Sequence, residues 1–294
     1  MPITLKEYMQ SKMEQLNHQL EHQLTLLQIP ERLQRSMLYS IHAGGKRIRP
    51  TLMLATCEAF GGDSKRAFPV ACALEMIHTY SLIHDDLPAM DDDDMRRGMP
   101  TNHKQFDEAT AILAGDALLT TAFYVIANAE QLNDEEKVFL TKELSKASGP
   151  EGMVAGQMLD MEGEQTSLTL EQLETIHRHK TGELLRFAAV AGAYIGGATL
   201  KQRKEIETYA TYVGLLFQVQ DDILDVIGDE QAIGKPVGSD VTNEKSTYPQ
   251  LLGLQGAIAQ KDKYTQKAKE ALQQSGGDDT LLVELIDYIS NRNN

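Results

Sequence analysis

The amino-acid sequence predicts an all-α protein, and three observations support this fold class. Nearly every segment between glycines and prolines places its apolar residues three and four positions apart, which is the spacing of one helix face. The alternating pattern of a strand, bounded by hairpin turn signals, is missing. No repeat, low-complexity tract or shift in composition marks a boundary, so residues 1–294 are expected to form a single domain. The helices are expected to surround a central active-site cavity.

The first half of the chain divides into helices at its glycines and prolines. Residues 4–28 carry leucines and methionines on one face and are expected to form an amphipathic helix. Pro30 begins a second helix that continues through Ile41, and Pro50 is a first-turn residue of a third, which ends near Phe60. Further helices are predicted over residues 66–86, 107–128, 134–148 and 151–165.

The second half is helical except for one long polar segment. Helices are predicted over residues 170–181, 182–195, 200–226, 248–273 and 278–291. Asn133-Asp134 and Thr169 are expected to cap the helices that follow them. Residues 228–247 contain three glycines and a proline and break the helical pattern. Because a loop of this length in a compact protein is often functional, we expect it to act as a lid.

The composition is strongly acidic. The chain has 28 lysines and arginines against 43 aspartates and glutamates, so its formal net charge is 28 − 43 = −15. This excess argues against nucleic acids and anionic membranes as partners. Cys57 and Cys72 lie in apolar stretches without metal-ligand spacing, which indicates buried thiols in a reducing compartment. No leader-like N-terminal segment and no run of 18 apolar residues occurs, so we expect a soluble, cytoplasmic protein without membrane insertion.

The stretch Asp85–Asp94 reads DDLPAMDDDD and carries six carboxylates in ten positions. It follows directly on an apolar helix, which is an unusual place for a solvated acidic run. Mg²⁺ prefers oxygen ligands and commonly binds through one or two carboxylates together with phosphate oxygens. The stretch therefore predicts a Mg²⁺-diphosphate site, with an exposed acidic loop as the alternative.

A second acidic cluster lies in the stretch FQVQDDILD. Asp221 and Asp225 are four positions apart and therefore share one face of a helix. Like charges at this spacing destabilise a helix unless a cation offsets them. We therefore expect the two acidic clusters to form two walls of one site.

Several basic residues lie close to these clusters in the sequence. Lys46 and Arg49 follow two glycines at the start of a helix, where unpaired N–H groups favour an anion. Arg96 and Arg97 come directly after the acidic run, and a site for both a metal and a diphosphate needs both kinds of charge. The alternatives are a solvated turn for the first pair and surface ion pairs for the second. The same choice between phosphate binding and a structural role holds for Lys180, Lys235 and Lys245.

These stretches resemble the trans-isoprenyl diphosphate synthases, most closely the bacterial farnesyl diphosphate synthases. The resemblance extends in family order over most of residues 42–252. It is carried by GGKRIRP (44–50), IHTYSLIHDDLPAMDDDDMRRGMPTNH (77–103), FDEATAILAGDALLTTAF (106–123), GMVAGQMLD (152–160), HKTGELL (179–185), FQVQDDILD (217–225) and GKPVGSDVTNEKSTYP (234–249). It implies the all-helical isoprenoid synthase fold, a homodimer and three Mg²⁺ ions per active site. It also implies a reaction in which an allylic diphosphate ionises, isopentenyl diphosphate attacks the cation head-to-tail, and a proton is lost.

The resemblance also implies a role for each matching residue. Metal ions on the allylic diphosphate are expected at Asp85 and Asp91, with Asp86 in support, and at Asp221. The same diphosphate is expected to contact Arg96, Lys180 and Lys235, with Lys245 as a weaker contact in the lid. Isopentenyl diphosphate is expected at Lys46, Arg49, His78 and Arg97. Thr181 and Gln218 are expected to line the reacting centre, and the departing diphosphate to take the proton. Ser239 departs from the Lys or Gln that relatives often carry.

The length of the product is expected to depend on the helix before Asp85. Tyr80, five residues upstream, and its neighbour Ser81 are the expected chain-length residues, because an aromatic ring there would block a growing prenyl tail. This favours a farnesyl (C15) product over a geranylgeranyl (C20) product. A geranylgeranyl diphosphate synthase, a terpene cyclase and a non-catalytic scaffold subunit of a prenyltransferase are the alternatives. The cyclase is disfavoured because its second metal motif usually mixes Asn, Ser or Thr and Glu, whereas this chain has DDILD.

Overall fold

The computed structural model describes residues 3–163, 166–227 and 246–292, and these residues are almost entirely helical. The first helices are α1 (Leu5–Thr25), α2 (Glu31–His42), α3 (Ile48–Ala59), α4 (Ser64–Asp85), α5 (Asn102–Gln105), α6 (Glu108–Ala127) and α7 (Asp134–Ser148). They are followed by α8 (Met153–Gly163), α9 (Leu170–His177), α10 (Glu183–Ile195), α11 (Leu200–Ile227), α12 (Tyr248–Ser275) and α13 (Thr280–Asn291). The prediction of an all-α protein is confirmed.

The helix ends follow the predicted signals. Thr169 forms a capping box with Gln172, and Asn133 exchanges two hydrogen bonds with Glu136. Pro249 stands in the first turn of α12, and Gly276 ends that helix in the left-handed conformation with φ 69°. The predicted caps at Thr169 and Asn133 are therefore both confirmed.

Two features depart from the sequence-based expectations, and a third expectation concerns residues that the structure does not describe. Two-residue strands β1 (Met95–Arg96) and β2 (Met99–Pro100) pair antiparallel, and the short helix α5 follows them. Between α9 and α10 the chain does not break at Lys180-Thr181-Gly182, because a π-helical turn over Arg178–Gly182 joins the two helices. The predicted lid lies almost wholly in residues 228–245, outside the described residues.

The chain packs as two compact units. The first unit comprises Met1–Leu54 and Asp63–Lys142, and the second comprises Ala55–Gly62 and Glu143–Asn294. The expectation of a single domain stays a prediction. In the first unit α4 packs mainly against α6, and in the second unit α11 packs mainly against α12. Apolar side chains on these helices are buried, including Leu74, Ile77 and Leu118 in the first unit.

Helix α6 is the one described helix that is long and apolar enough to cross a membrane, judged by length and composition. Less than half of its most apolar window, 44%, is buried in the protein. Asp116 interrupts the apolar sequence and is exposed. Two large apolar side chains on α6, Leu113 and Tyr124, are 58% and 61% exposed. The helix therefore has one face packed against α4 and another face that no described residue covers.

Candidate active site

The first acidic cluster forms a closed turn at the C-terminal end of α4. Met90 N–H donates to Leu87 O at 2.8 Å, and Asp91 N–H donates to Asp85 O at 2.9 Å. The spacer Leu87–Met90 therefore folds back on itself and brings Asp91 next to Asp85. Asp92 completes the turn in the left-handed region with φ 50°, donating to Leu87 O at 3.1 Å. Asp85 and Asp91 are six residues apart in the sequence, and a backbone hydrogen bond thus joins the two residues directly.

The other carboxylates of this cluster have different surroundings. Asp86 is buried, and Arg96 Nε donates to its Oδ1 at 2.7 Å. Burial raises the pKa of Asp86, and the hydrogen bond and charge of Arg96 oppose this shift in part. Asp93 also accepts from Arg96, at 3.5 Å, whereas Asp94 is exposed and pairs with Lys104 at 2.7 Å.

The β1–β2 hairpin places Arg97 against the glycines that precede α3. Arg97 and Gly98 form the turn with φ 53° and 76°, a pair of positive values that matches the right-handed twist of a two-stranded ribbon. The Arg97 Nη1 donates to Gly44 O. A Cβ at Gly45 would stand 2.7 Å from Arg97 Cζ, so the guanidinium needs a glycine at this position.

A cluster of cations results within the first unit. Arg49 Nη1 lies 3.3 Å from His78 Nε2. Burial lowers the pKa of His78 well below its usual range, and the charges of Arg49 and Arg97 lower it further. The imidazole is therefore neutral at pH 7 and lies where the positive potential is high. In a chain of net charge −15, such a cluster is suited to a bound anion.

Arg47 lies in the same basic stretch but points into the protein. Its Nη1 donates to Glu75 Oε1 at 2.5 Å, and both side chains are almost completely buried. Further bonds run from Nη2 to Ile41 O at 2.7 Å and from Nε to Asn17 Oδ1 at 3.2 Å. Within the sequence Lys46-Arg47-Ile48-Arg49, Arg47 is therefore the arginine that is anchored in the core.

The second acidic cluster lies at the C-terminal end of α11, and its carboxylates have different partners. Asp222 is buried and accepts from the N–H of Tyr248 at 2.9 Å, which fixes the start of α12. Asp221 pairs with Arg292 at 2.5 Å, and the Arg292 guanidinium lies 4.0 Å from the centroid of the Phe217 ring. Asp221 is more exposed than Asp222, and its carboxylate forms an ion pair with the guanidinium of Arg292.

The π-helical turn brings the remaining predicted residues of the second unit together. Thr181 Oγ1 donates to Gln218 Oε1 at 2.9 Å, so the two residues expected at the reacting centre are adjacent. Lys180 Nζ pairs with Asp160 Oδ2 on α8 at 2.6 Å. π-Turns inside α-helices occur frequently at functional sites.

Two glycines allow the neighbouring helices to approach this turn. A Cβ at Gly156 on α8 would stand 2.1 Å from Lys180 N, and one at Gly214 on α11 would stand 2.9 Å from Gly182 Cα. The backbones of α8 and α11 therefore pack directly against the turn that carries Lys180 and Thr181.

The carboxylates of each unit are of a type that fits Mg²⁺ completed by other ligands. Asp85 and Asp91 in the first unit, and Asp221 in the second, offer carboxylate oxygens, the ligand type that Mg²⁺ prefers. Among the residues that the structure describes, no group of three or more His, Cys, Asp or Glu side chains is arranged to hold a metal ion by itself. Mg²⁺ usually keeps several waters and binds through one or two protein carboxylates plus substrate phosphates, so its binding does not require such a group.

The predicted chain-length residues, Tyr80 and Ser81, lie on α4, one to two turns before Asp85. Tyr80 is 7% exposed, and burial together with the charge of Asp85 raises its pKa to about 12. Ser81 Oγ donates to His78 O at 2.9 Å. The phenol ring is thus buried within the first unit, and its role in product length stays a prediction.

Sequence reasoning missed three ion-pair partners, two of which hold predicted site residues. Asp160, Glu75 and Arg292 hold Lys180, Arg47 and Asp221 respectively. Asp160 ends the family-like stretch 152–160, which is the one signal that could have identified it. The predicted residues Lys235 and Lys245, with Ser239, lie outside the described residues.

Comparison with known proteins places these observations in a family. The sequence profile of the polyprenyl synthetase family matches residues 30–289. The farnesyl diphosphate synthase of Geobacillus stearothermophilus is 49% identical over 292 residues, which cover 99% of this chain and 98% of that protein. The chloroplastic geranylgeranyl pyrophosphate synthase of Catharanthus roseus is 47% identical, covering 98% of this chain and 82% of that protein. A crystal structure of a geranyltransferase from Legionella pneumophila has a TM-score of 0.86 at 35% identity, covering 98% of this chain and 97% of that one.

Proposed function

Because this chain belongs to the polyprenyl synthetase family, we propose that it is a farnesyl diphosphate synthase. The reaction joins isopentenyl diphosphate head-to-tail to dimethylallyl diphosphate and then to geranyl diphosphate. In each round the allylic C–O bond breaks, diphosphate leaves, a new C–C bond forms and one proton is lost.

The observation that carries this proposal is the pairing of two kinds of subsite within the first unit. The turn Asp85–Asp91 presents carboxylates, and Arg49 and Arg97, beside the neutral His78, present cations. A condensation of two diphosphates needs both, since one diphosphate must leave and the other must stay attached to its substrate. Carboxylates hold the first through Mg²⁺, and cations hold the second directly.

The allylic diphosphate is proposed to bind at the carboxylate turn. Asp85 and Asp91, with Asp86 in support, would hold two Mg²⁺ ions and Asp221 a third. When bound, these ions neutralise the negative charge that develops on the departing diphosphate. Arg96 and Lys180 add fixed positive charge, which acts most strongly where water is excluded. Lys180 can serve in this way when phosphate oxygens replace Asp160 as the partner of its ammonium group.

Isopentenyl diphosphate is proposed to bind at Lys46, Arg49, His78 and Arg97. Arg97 reaches this position because Gly45 leaves room for its guanidinium. Two guanidinium groups bind phosphate oxygens with charge-assisted hydrogen bonds of defined geometry. Neutral His78 adds a hydrogen-bonding group without requiring a proton from solvent.

The reacting carbons are proposed to lie beside Thr181 and Gln218. Their hydroxyl and amide dipoles face an allylic cation without supplying a nucleophile strong enough to capture it. Exclusion of water protects the cation from hydrolysis, and the lid proposed for 228–247 would provide that exclusion. The departing diphosphate is proposed to accept the proton, because none of the predicted site residues is an obvious general base.

The C15 product is supported by Tyr80, whose ring is buried. Tyr80 lies one helical turn before His84, on the same helix as Asp85. A geranylgeranyl diphosphate synthase is the second candidate, favoured by the 47% identity to the Catharanthus roseus protein.

Substituting Tyr80 by Ala should move the main product from C15 to C20. Unchanged C15 product from a folded Tyr80→Ala protein would contradict the role of this ring.

The proposed activity is tested by incubating the purified protein with Mg²⁺, isopentenyl diphosphate and dimethylallyl or geranyl diphosphate, followed by sizing of the products. Farnesyl diphosphate should form, and removal of Mg²⁺ with EDTA should abolish it. Asp85→Asn and Asp91→Asn should each reduce kcat by at least about 100-fold, the loss typical of one electrostatic catalytic group. Asp94→Asn is the matched control in the same loop and should retain activity, because Asp94 is exposed and pairs with Lys104. Complete absence of elongated products would favour the scaffold interpretation.

We also propose that the protein is a cytoplasmic homodimer and that α6 forms the contact. Leu113 and Tyr124 are exposed on one face of this helix together with Asp116 and Thr120. Such a mixed face suits a second protein copy better than lipid, because a carboxylate is costly to place in a hydrocarbon core.

A further inference from the structure

The last turn of α4 carries a histidine that the proposed chemistry does not use. His84 follows Tyr80 by four residues, so the two side chains lie on one face of the helix. Their ring centroids are 5.7 Å apart, and the ring planes are inclined at 77°. This edge-to-face arrangement is the favoured geometry for aromatic pairs.

His84 is held from its other side by α6. Its Nε2 lies 3.1 Å from the backbone O of Ile112, within hydrogen-bonding distance. The ring occupies the space above Gly115, where an added Cβ would stand 2.1 Å from Nε2 and 2.5 Å from Cδ2. No side chain larger than hydrogen fits at position 115 while the imidazole keeps this place.

We infer that His84 and Gly115 determine product length by positioning the ring of Tyr80. His84 is a positioning residue in this inference, since Tyr80 rather than His84 is proposed to meet the prenyl tail. The inference rests on the proposed farnesyl diphosphate synthase activity and adds two residues to its control of chain length.

The physical reason is the limited freedom of a tyrosine on a helix. Its χ1 has two common values there, and neighbouring side chains decide between them. The imidazole of His84 restricts the phenol ring of Tyr80 on one side. The imidazole is itself restricted by the Ile112 carbonyl and by the space above Gly115 that it fills. Displacing His84 removes that support, so that Tyr80 can turn aside for a longer tail.

The test compares product length in two variants that disturb this support in opposite ways. Gly115→Ala pushes the imidazole away by adding an atom, and His84→Ala removes the ring without adding one. Both should raise the ratio of C20 to C15 product by roughly three- to tenfold, as expected when a preferred rotamer loses its packing partner. His84→Ala introduces no clash, so the inference stays testable if Gly115→Ala fails to fold.

Ala114→Gly is the matched control. Ala114 is buried on the same helix, and its substitution weakens α6 without placing an atom against His84. It should leave the product ratio at the wild-type value. An equal rise in the C20 fraction in this control would attribute the effect to general loosening of α6 and overturn the inference.

A double-mutant cycle with Tyr80→Ala supplies the second readout. Because His84 is inferred to act through Tyr80, His84→Ala should change the product ratio little further in a Tyr80→Ala background. Additive changes would contradict the inference, as would a fall in kcat with unchanged C15 product in both single variants. If the wild-type protein elongates no allylic diphosphate, the proposed function itself fails, which is a separate result.

Discussion

At the scale of single residues, neighbouring side chains of the same type have different roles. Arg47 and Arg49 are two positions apart, yet one guanidinium bonds to Glu75 in the core and the other lies beside His78. The backbone separates them, because Arg47 adopts φ 48° in the left-handed region just before α3 begins. A positive φ is uncommon outside glycine, and here the buried ion pair offsets its cost.

The Arg47–Glu75 pair is expected to matter for stability. The side chains are 1% and 3% exposed, so removing one partner leaves a buried charge without compensation. Arg47→Met or Glu75→Leu alone should lower the free energy of unfolding by about 3–5 kcal/mol, and the double substitution should cost much less. Denaturant unfolding of the three variants measures this.

The exposed pair Arg32–Asp107 is the control for this prediction, with side chains 60% and 50% exposed. Arg32→Ala should cost about 0–1 kcal/mol. A loss for Glu75→Leu as small as that for Arg32→Ala would show that Arg47 is not buried as a charged group.

His177 gives the stability a defined dependence on pH. Burial lowers its pKa to about 4 from the usual 6.5, and the charge of Asp160 opposes the shift only in part. As pH falls below 6.5, the unfolded chain takes up the proton while the folded chain does not. The neutral histidine therefore contributes stability above pH 6.5 that is lost as the pH falls to about 4, at most about 3 kcal/mol.

His177→Phe tests this prediction, because it keeps a ring to stack on Tyr248, whose centroid lies 5.6 Å away. Between pH 6.5 and 4 the free energy of unfolding should fall less steeply in the variant than in the wild type. Parallel curves over that range would show that His177 titrates alike in both states.

At the scale of elements, the π-helical turn is the feature that positions the predicted site residues of the second unit. It places Lys180 opposite Asp160 and Thr181 opposite Gln218. A regular α-helix through Arg178–Gly182 would rotate these side chains relative to α8 and α11, since a π-turn inserts one residue into the helical repeat.

Gly156→Ala is expected to disturb this turn. The added Cβ meets the backbone of Lys180 rather than a mobile side chain, so α8 or the turn must shift. We expect kcat to fall by about tenfold or more, because displacement of a catalytic group by about 1 Å costs up to a hundredfold. Steady-state kinetics with geranyl diphosphate measures the change.

Gly163→Ala on the same helix is the control, because its Cβ would meet only methyl groups of Leu168 and Ile176 at 3.2 Å and 3.4 Å. It should keep near wild-type kcat. Equal losses in both variants would point to a general loss of α8 structure rather than to the turn.

At the scale of the whole molecule, the proposed homodimer makes a direct prediction. Leu113→Glu combined with Tyr124→Glu places two charges on the exposed face of α6, and burying unpaired charges at an interface is unfavourable. Sedimentation should show a dimer for the wild type and a monomer for the double variant. Val138→Glu, at another exposed apolar position, is the control, and dimers in all three proteins would place the interface elsewhere.

Much of the fold could be predicted from the sequence, because helical periodicity and end signals are local. Thr169 and Asn133 cap their helices as predicted, since a capping bond spans only three residues. The turn from Asp85 to Asp91 is local in the same sense, and its carboxylates were identified from the sequence directly. The β1–β2 hairpin was missed because strands of two residues show no alternation.

The sequence by itself determined the class of helices, the acidic and basic motifs and, through them, the family. The tertiary structure decided which charges pair with one another. Asp160 and Lys180 are twenty residues apart, and Arg47 and Glu75 twenty-eight, so no local pattern indicates either pair. The π-helical turn and the place of His84 depend on close backbone approach at Gly156, Gly214 and Gly115. Such contacts arise when helices that are distant in sequence pack together, and the physical reason that they escape sequence analysis is that packing density, unlike helical periodicity, is a property of the folded chain.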